Sequence, residues 1–228
     1  MFLPLQDGVA MRRLRAPFMT WALIAFNIVI FLITGTHVLL DGDRVSLGFG
    51  AIPALITGKQ ELGEGIASVS PWITLFTSQF LHADWFHLGG NMLFLFIFGD
   101  NVEDAMGHIR FLIFFLVCGV GGGALFVLLD PSGVSPLIGA SGAISGVMGA
   151  YLMLYPQVRI FGLVSIIPMR IKAIYVLGLW SVLQIYSAIF TADSNVAFVA
   201  HIGGALVGAV LIGLFKSRDV PLFSRISN

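Results

Sequence analysis

A few polar side chains stand in stretches that are otherwise strongly apolar. They are His82, Asp84, His87 and Asn91 in one segment, Ser141 and Ser145 in a second, and His201 in a third. Ser141 lies in Gly139-Ala140-Ser141-Gly142, where glycines permit a tight turn and close backbone approach. A serine at the entry of a helix faces free N–H groups and the positive end of the helix dipole, a setting that stabilises an alkoxide and an adjacent oxyanion. The same residues also describe an N-cap serine in a glycine-rich helix entry. His201 lies in Ala200-His201-Ile202-Gly203-Gly204, with Gly208 beyond. A histidine that reaches a serine hydroxyl can act as its base; bonded to a backbone carbonyl instead, it is structural. His87 and Asn91 are four apart and share a helix face. Both can donate hydrogen bonds, and with the Ser141 N–H they could form an oxyanion hole. His82 is five residues before His87 and leaves that face, which suits it to orienting a loop or a water. Metal binding by His82, Asp84 and His87 is disfavoured: there is no HExxH, and the spacing does not converge on one face.

These residues need elements to position them, and composition says which. Hydrophobic residues make up 57% of 228, and charged residues 11%. A soluble domain carries about 25% charged residues. Mean hydropathy is +0.96, that of a membrane protein. Net charge is zero, which leaves no basic footprint for nucleic acid. The single cysteine, Cys118, rules out an internal disulfide framework and reads as a small core residue.

Charge-free windows give the spans, each needing about 20 apolar residues. Windows 16–40, 111–129, 173–192 and 194–215 meet the requirement directly. In window 131–158, Pro131, Gly133 and Pro136 delay the helix to about Ser141, and Pro156 ends it near Tyr155. Another helix runs from about Asp84 to Ala105. The charge-free window 65–83, broken by Pro71 and rich in Ser and Thr, reads as part of a long loop (about 41–83) partly embedded in the membrane. Taken as a seventh span, the window would upset the charge pattern. The run Phe18–Leu40 is too long for a signal-peptide core and reads as a retained helix. The expectation is an all-α, polytopic membrane protein. It comprises a short tail (1–15), a six-helix domain (16–215) and a C-terminal tail (216–228).

With six spans, ten of the 12 Lys and Arg residues fall on the side holding both termini, Arg225 among them; the other side has Arg44 and Lys59. By the positive-inside rule both termini are cytoplasmic. The second, fourth and sixth helices then all enter from outside. His82, His87, Asn91, Ser141 and His201 therefore fall at similar depth on the non-cytoplasmic side. With its helix starting near Asn195, His201 lies about 9 Å in at 1.5 Å per residue. Ala200, Gly204 and Gly208 form a small-residue face, and Gly142, Gly146, Gly149 and Ala150 form another. Two such faces can bring helices close enough for Ser141 to reach His201.

Together these motifs resemble the rhomboid family of intramembrane serine proteases. The resemblance runs from about Trp72 to Gly208 and rests on several motifs in this order: Phe80-Leu81-His82, His82-x4-His87-x3-Asn91, Gly99-x3-Glu103-x3-Gly107, Gly139-Ala140-Ser141-Gly142 and Ala200-His201-x-Gly203-Gly204. It implies a compact six-helix, rhomboid-like bundle with a membrane-associated first loop. It also implies a Ser–His dyad with no acidic third member: Ser141 as nucleophile, His201 as base and later acid. His87, Asn91 and the Ser141 N–H would stabilise the oxyanion. Glu103 and Gly107 look like the family's structural helix-end positions. No cofactor or metal is implied. The partners implied are membrane lipid and transmembrane substrate proteins, single-span ones first. A bacterial cytoplasmic membrane suits the compact chain. Two positions depart from the family pattern. Ile73 follows Trp72 where arginine is frequent, so the loop needs another anchor. Ser145 stands where a tyrosine often supports the histidine, so His201 must rely on a different contact. The alternatives are a catalytically silent relative that binds transmembrane clients, and a small transporter. The transporter would need a polar path through the inner halves of the spans, where charge is nearly absent.

Overall fold

The computed structural model describes residues 2–36, 40–66, 68–191 and 197–224. It is mostly helical. In chain order the elements are strand β1 (Phe2–Gln6), helix α1 (Phe18–Thr34), the short helices α2 (Gly42–Phe49), α3 (Pro53–Ile56) and α4 (Thr74–Thr77), and a 3-10 turn (Ser78–Phe80). Then follow α5 (Trp85–Met106), α6 (His108–Leu129), α7 (Ser141–Leu154), strands β2 (Arg159–Val164) and β3 (Ile167–Lys172), α8 (Ala173–Phe190) and α9 (Phe198–Phe215). The six long helices fall within or close to the sequence windows. The expected start of the last near Asn195, residues 37–39 of the first window, and Arg225 lie outside the described residues. Among the described residues, α6, α8 and α9 are long and apolar enough to cross a membrane, while α1 and α7 are shorter apolar helices.

One group of elements was not expected. The all-α reading made 1–15 a tail and 156–172 a loop. Instead β1, β2 and β3 form a three-stranded antiparallel sheet in that order. Leu3 pairs with Leu163 and Leu163 with Pro168, and the β1 register shifts between Pro4 and Gln6. The C-terminal segment is also docked: the Ser217 N–H donates to the Ala105 carbonyl at 2.8 Å and the Phe223 N–H to the Met153 carbonyl at 2.7 Å.

Carboxylates organise this end of the bundle. The buried Glu103 at the end of α5 accepts from the N–H groups of Met19 and Thr20 at 2.9 and 2.7 Å and from the Thr20 hydroxyl at 2.6 Å. It thereby caps α1, whose own N-cap, Pro17, offers no side-chain bond. Glu103 also contacts His108. Asp104 accepts from the N–H groups of Arg12, Arg13 and Leu14 at 2.7–2.9 Å. Asp7 accepts from the Tyr151 hydroxyl at 2.8 Å and the Asn101 amide at 2.7 Å. Gly107 ends α5 and opens α6 at φ 87° and ψ 160°, a conformation essentially reserved for glycine.

The core lies between α5, α6, α7 and α9. It includes Leu95, Phe98, Phe111, Phe115, Cys118, Val147 and Tyr151, all fully buried. Glycines bring three of these helices to backbone contact. A Cβ on Gly204 would lie 1.9 Å from the Gly142 carbonyl oxygen, one on Gly208 2.0 Å from that of Gly146, and one on Gly122 2.5 Å from that of Ala200. Outward, Leu206, Val210 and Leu214 form an exposed apolar stripe on α9. The segment between α1 and α5 folds onto α6: Ala51, Ile56 and Leu75 pack with Val120, Val127 and Leu137. The Thr77 hydroxyl, bonded to the Phe49 carbonyl at 2.6 Å, supplies the anchor that Ile73 does not.

Candidate active site

Ser141 is the first residue of α7, and Ala140 before it provides no side-chain cap. Its approach is fixed from both sides. Leu137 exchanges two backbone hydrogen bonds with Ala51, and the Gly139 N–H donates to the Ser78 carbonyl at 2.9 Å. Gly139 has φ 121°, which L side chains rarely adopt, and a Cβ there would meet His87 Nε2 at 2.7 Å. The same point is 3.6 Å from Ser141 Oγ, so the His87 ring and the serine hydroxyl flank the space above Gly139.

His201 sits in the first turn of α9. The glycine contacts between α7 and α9 set its height against Ser141, and its Nε2 lies 2.8 Å from Ser141 Oγ. That is the hydrogen-bond reach of a nucleophile–base pair. Ser145, one turn on, donates its hydroxyl to the Ser141 carbonyl at 2.6 Å and leaves the ring alone. The His201 ring is supported from elsewhere. Trp180 of α8 stacks beside it with centroids 6.1 Å apart, and Phe198 meets it edge-on at 6.4 Å. On the far side of the ring, Nδ1 lies 2.7 Å from Oε1 of Gln184.

The remaining expected residues divide. Asp84 caps α5 by accepting from the His87 N–H at 2.8 Å. Asn91 is buried one turn beyond His87, and its amide Nδ2 has no hydrogen-bond partner. A buried donor without a partner is costly and is suited to an incoming oxygen. His82 is buried with both ring nitrogens unpaired, and meets His87 edge-on at 5.1 Å. It lines a cavity of about 230 Å³ with Thr34, Ser46, Pro136 and Ile138, and is not bonded to the Ser141–His201 pair. Among the described residues, no three His, Cys, Asp or Glu side chains gather as a metal site.

Gln184 was missed in the sequence. The available signal was a polar residue inside a span, in helical register with Leu177, Ser181 and Ala188. Those four positions are buried or half-buried, whereas Val182, Leu183, Ile185 and Tyr186 are exposed.

The serine hydroxyl held against an imidazole at a helix N-terminus lies in a glycine-packed bundle of apolar helices, which fits an integral membrane protein. The sequence profile of the rhomboid domain matches residues 70–218, and the chain belongs to the rhomboid family. It is similar to the yeast Saccharomyces cerevisiae "Rhomboid protein 1, mitochondrial", 32% identical over 157 residues, covering 67% of this chain and 44% of that protein. It is similar also to the Arabidopsis thaliana "Rhomboid-like protein 11, chloroplastic", 31% identical over 163 residues (64% and 53%). The Bacillus subtilis "Rhomboid protease GluP" is 29% identical over 204 residues (88% and 36%). The matches thus span 36–53% of the length of these curated relatives.

Proposed function

We propose that this chain is an intramembrane serine endopeptidase that cuts transmembrane proteins. The observation that carries the reading is the 2.8 Å contact between Ser141 Oγ and His201 Nε2, half-buried in an apolar bundle. In the first step Ser141 Oγ bonds to the scissile carbonyl carbon and its proton passes to His201 Nε2. Collapse of the tetrahedral intermediate breaks the C–N bond, and the proton goes to the leaving amine. Water, deprotonated by His201, then hydrolyses the acyl-enzyme. His87, the unpaired Asn91 amide and the uncapped start of α7 are the donors for the oxyanion. His82 acts at one remove, through its edge contact with His87.

Six helices cross the membrane in this reading: α1, α5, α6, α7, α8 and α9. The Lys and Arg excess places both termini in the cytoplasm and the site toward the opposite face. The 14 residues of α7 rise about 21 Å, against a hydrocarbon core of about 30 Å. With its C-terminal end at one surface, α7 stops about 9 Å short of the other, and Ser141 sits at that depth. A substrate helix must unwind there before its carbonyl can reach Ser141, because helical amides are tied in their own hydrogen bonds. Single-span proteins with small or helix-weakening residues near the outer boundary fit that requirement.

Cleavage of a tagged single-span substrate in liposomes, by the intact chain and by Ser141→Ala and His201→Ala, tests the proposal. Loss of cleavage in both folded variants is the expected result. Cleavage persisting in Ser141→Ala would refute it. Inactivity of the intact chain across several substrates, including a glycine-containing span, would favour a client-binding relative instead.

A further inference from the structure

His201 is held through both ring nitrogens, and the partner of the second is informative. A neutral imidazole carries one N–H. Nε2 can take the Ser141 proton only if that N–H sits on Nδ1, and a buried N–H needs an acceptor. Gln184 Oε1, 2.7 Å from Nδ1, is such an acceptor. Once the ring is protonated in the transition state, both nitrogens are donors. The bond to Gln184 is then charge-assisted and stronger than in the resting state. An amide supplies this without placing a second charge in an apolar span.

The placement of Gln184 follows from its helix. The inward stripe of α8 aims Gln184 at α9, while neighbouring apolar side chains point outward. Trp180, one turn earlier on α8, stacks beside the same ring. One helix therefore supplies both the flat support and the hydrogen-bond acceptor that Ser145 cannot provide.

We propose that Gln184 is the positioning residue for His201, accepting Nδ1–H and thereby fixing the tautomer whose Nε2 receives the Ser141 proton. The role rests on the hydrolase reading above, but the tautomer can be measured without any turnover. The experiment combines ¹⁵N NMR of histidine-labelled protein in lipid, with the His201 signals assigned by loss in His201→Ala, and cleavage kinetics. The variants are Gln184→Leu, which keeps the bulk and removes the acceptor, and Gln184→Glu, which keeps an acceptor oxygen. In the intact chain the proton should reside on Nδ1. In Gln184→Leu it should shift wholly or partly to Nε2. There kcat should fall about 10- to 150-fold, the worth of a hydrogen bond to a charged group, with KM unchanged. Gln184→Glu should restore the Nδ1 proton and most of kcat. A resting His201 protonated on Nε2 in the intact chain would overturn the assignment, as would a Gln184→Leu variant with unchanged tautomer and unchanged kcat. If the intact chain cuts nothing, the protease reading fails, and the tautomer shift alone supports or overturns the role of Gln184.

Discussion

Replacing Gly204 by alanine should separate the Ser141–His201 pair. A Cβ at 204 would stand 1.9 Å from the Gly142 carbonyl oxygen and 2.8 Å from its carbon, and no flexible side chain is there to yield. Reaching even the 3.0 Å limit of real Cβ contacts requires α7 and α9 to part by about 1.1 Å. Gly142 directly follows Ser141, and Gly204 lies one turn after His201, so the strain falls on the Ser141–His201 pair. Its 2.8 Å separation would open toward about 3.9 Å, outside the reach of about 3.2 Å for proton transfer. A displacement of about 1 Å costs on the order of 100-fold in rate. Overpacking should also lower stability by about 1–3 kcal/mol. The assay is the cleavage rate, together with the rate at which an organophosphonate probe labels Ser141, at a temperature where the variant is folded. Gly213→Ala on the same helix, with no atom within 4 Å of its Cβ, is the control that should leave both rates unchanged. A folded Gly204→Ala protein with the parent's rates would show that backbone contact at this crossing does not set the distance.

Glu103→Ala should lower stability by at least about 2 kcal/mol, because three donors on Met19 and Thr20 lose their acceptor in a buried place. Unfolding titrations in mild detergent measure this, and an unchanged midpoint would contradict the capping role. For Asp7, burial raises the carboxyl above its ordinary range, against the pull of its hydrogen bonds from Val9 and Tyr151. The folded chain thus holds this proton more tightly than the unfolded chain does. That stability is complete below the ordinary carboxylate pKa and is lost as pH rises through the raised one. Asp7→Asn has no proton to lose, so its stability relative to the parent should improve as pH rises above the ordinary carboxylate pKa of about 4. A pH-independent difference would refute the assignment.

The helices and the approach of Ser141 to His201 were legible because their signals are local. Apolar runs bounded by charge marked the spans. Proline at 136 and 156 bracketed α7, and glycines at four-residue spacing on α7 and α9 announced the close crossing that the Gly142–Gly204 contact realises. The sheet was not legible, because β1 pairs with β2 more than 150 residues away in the chain. The β2–β3 connection carries Ser165 at φ 57°, with neither the glycine nor the asparagine that marks a hairpin. Long-range acceptance explains the rest. Nothing near Glu103 or Asp104 in the sequence names the N–H groups of residues 12–20 as their partners. Gln184 was hidden in a helix read only for its apolarity, although its register with Leu177 and Ser181 pointed inward.

The two ends of the bundle are built by different means, and the difference bears on function. At the end holding the termini, carboxylates bind backbone N–H groups of distant segments, and the sheet and the C-terminal segment close over them. At the site, helices touch through glycine, and their backbones rather than long side chains set the positions of Ser141 and His201. Long side chains have rotamer freedom to lose; backbone packed on backbone has little. Distances at the site should therefore be insensitive to the capping network as long as the chain is folded. Glu103→Ala should shift the unfolding midpoint and leave kcat near the parent's, whereas Gly204→Ala should reduce kcat at temperatures well below its own midpoint. If both variants lost activity in proportion to lost stability, the two ends would form one cooperative unit, and the division between a carboxylate-bound base and a glycine-set site would not hold.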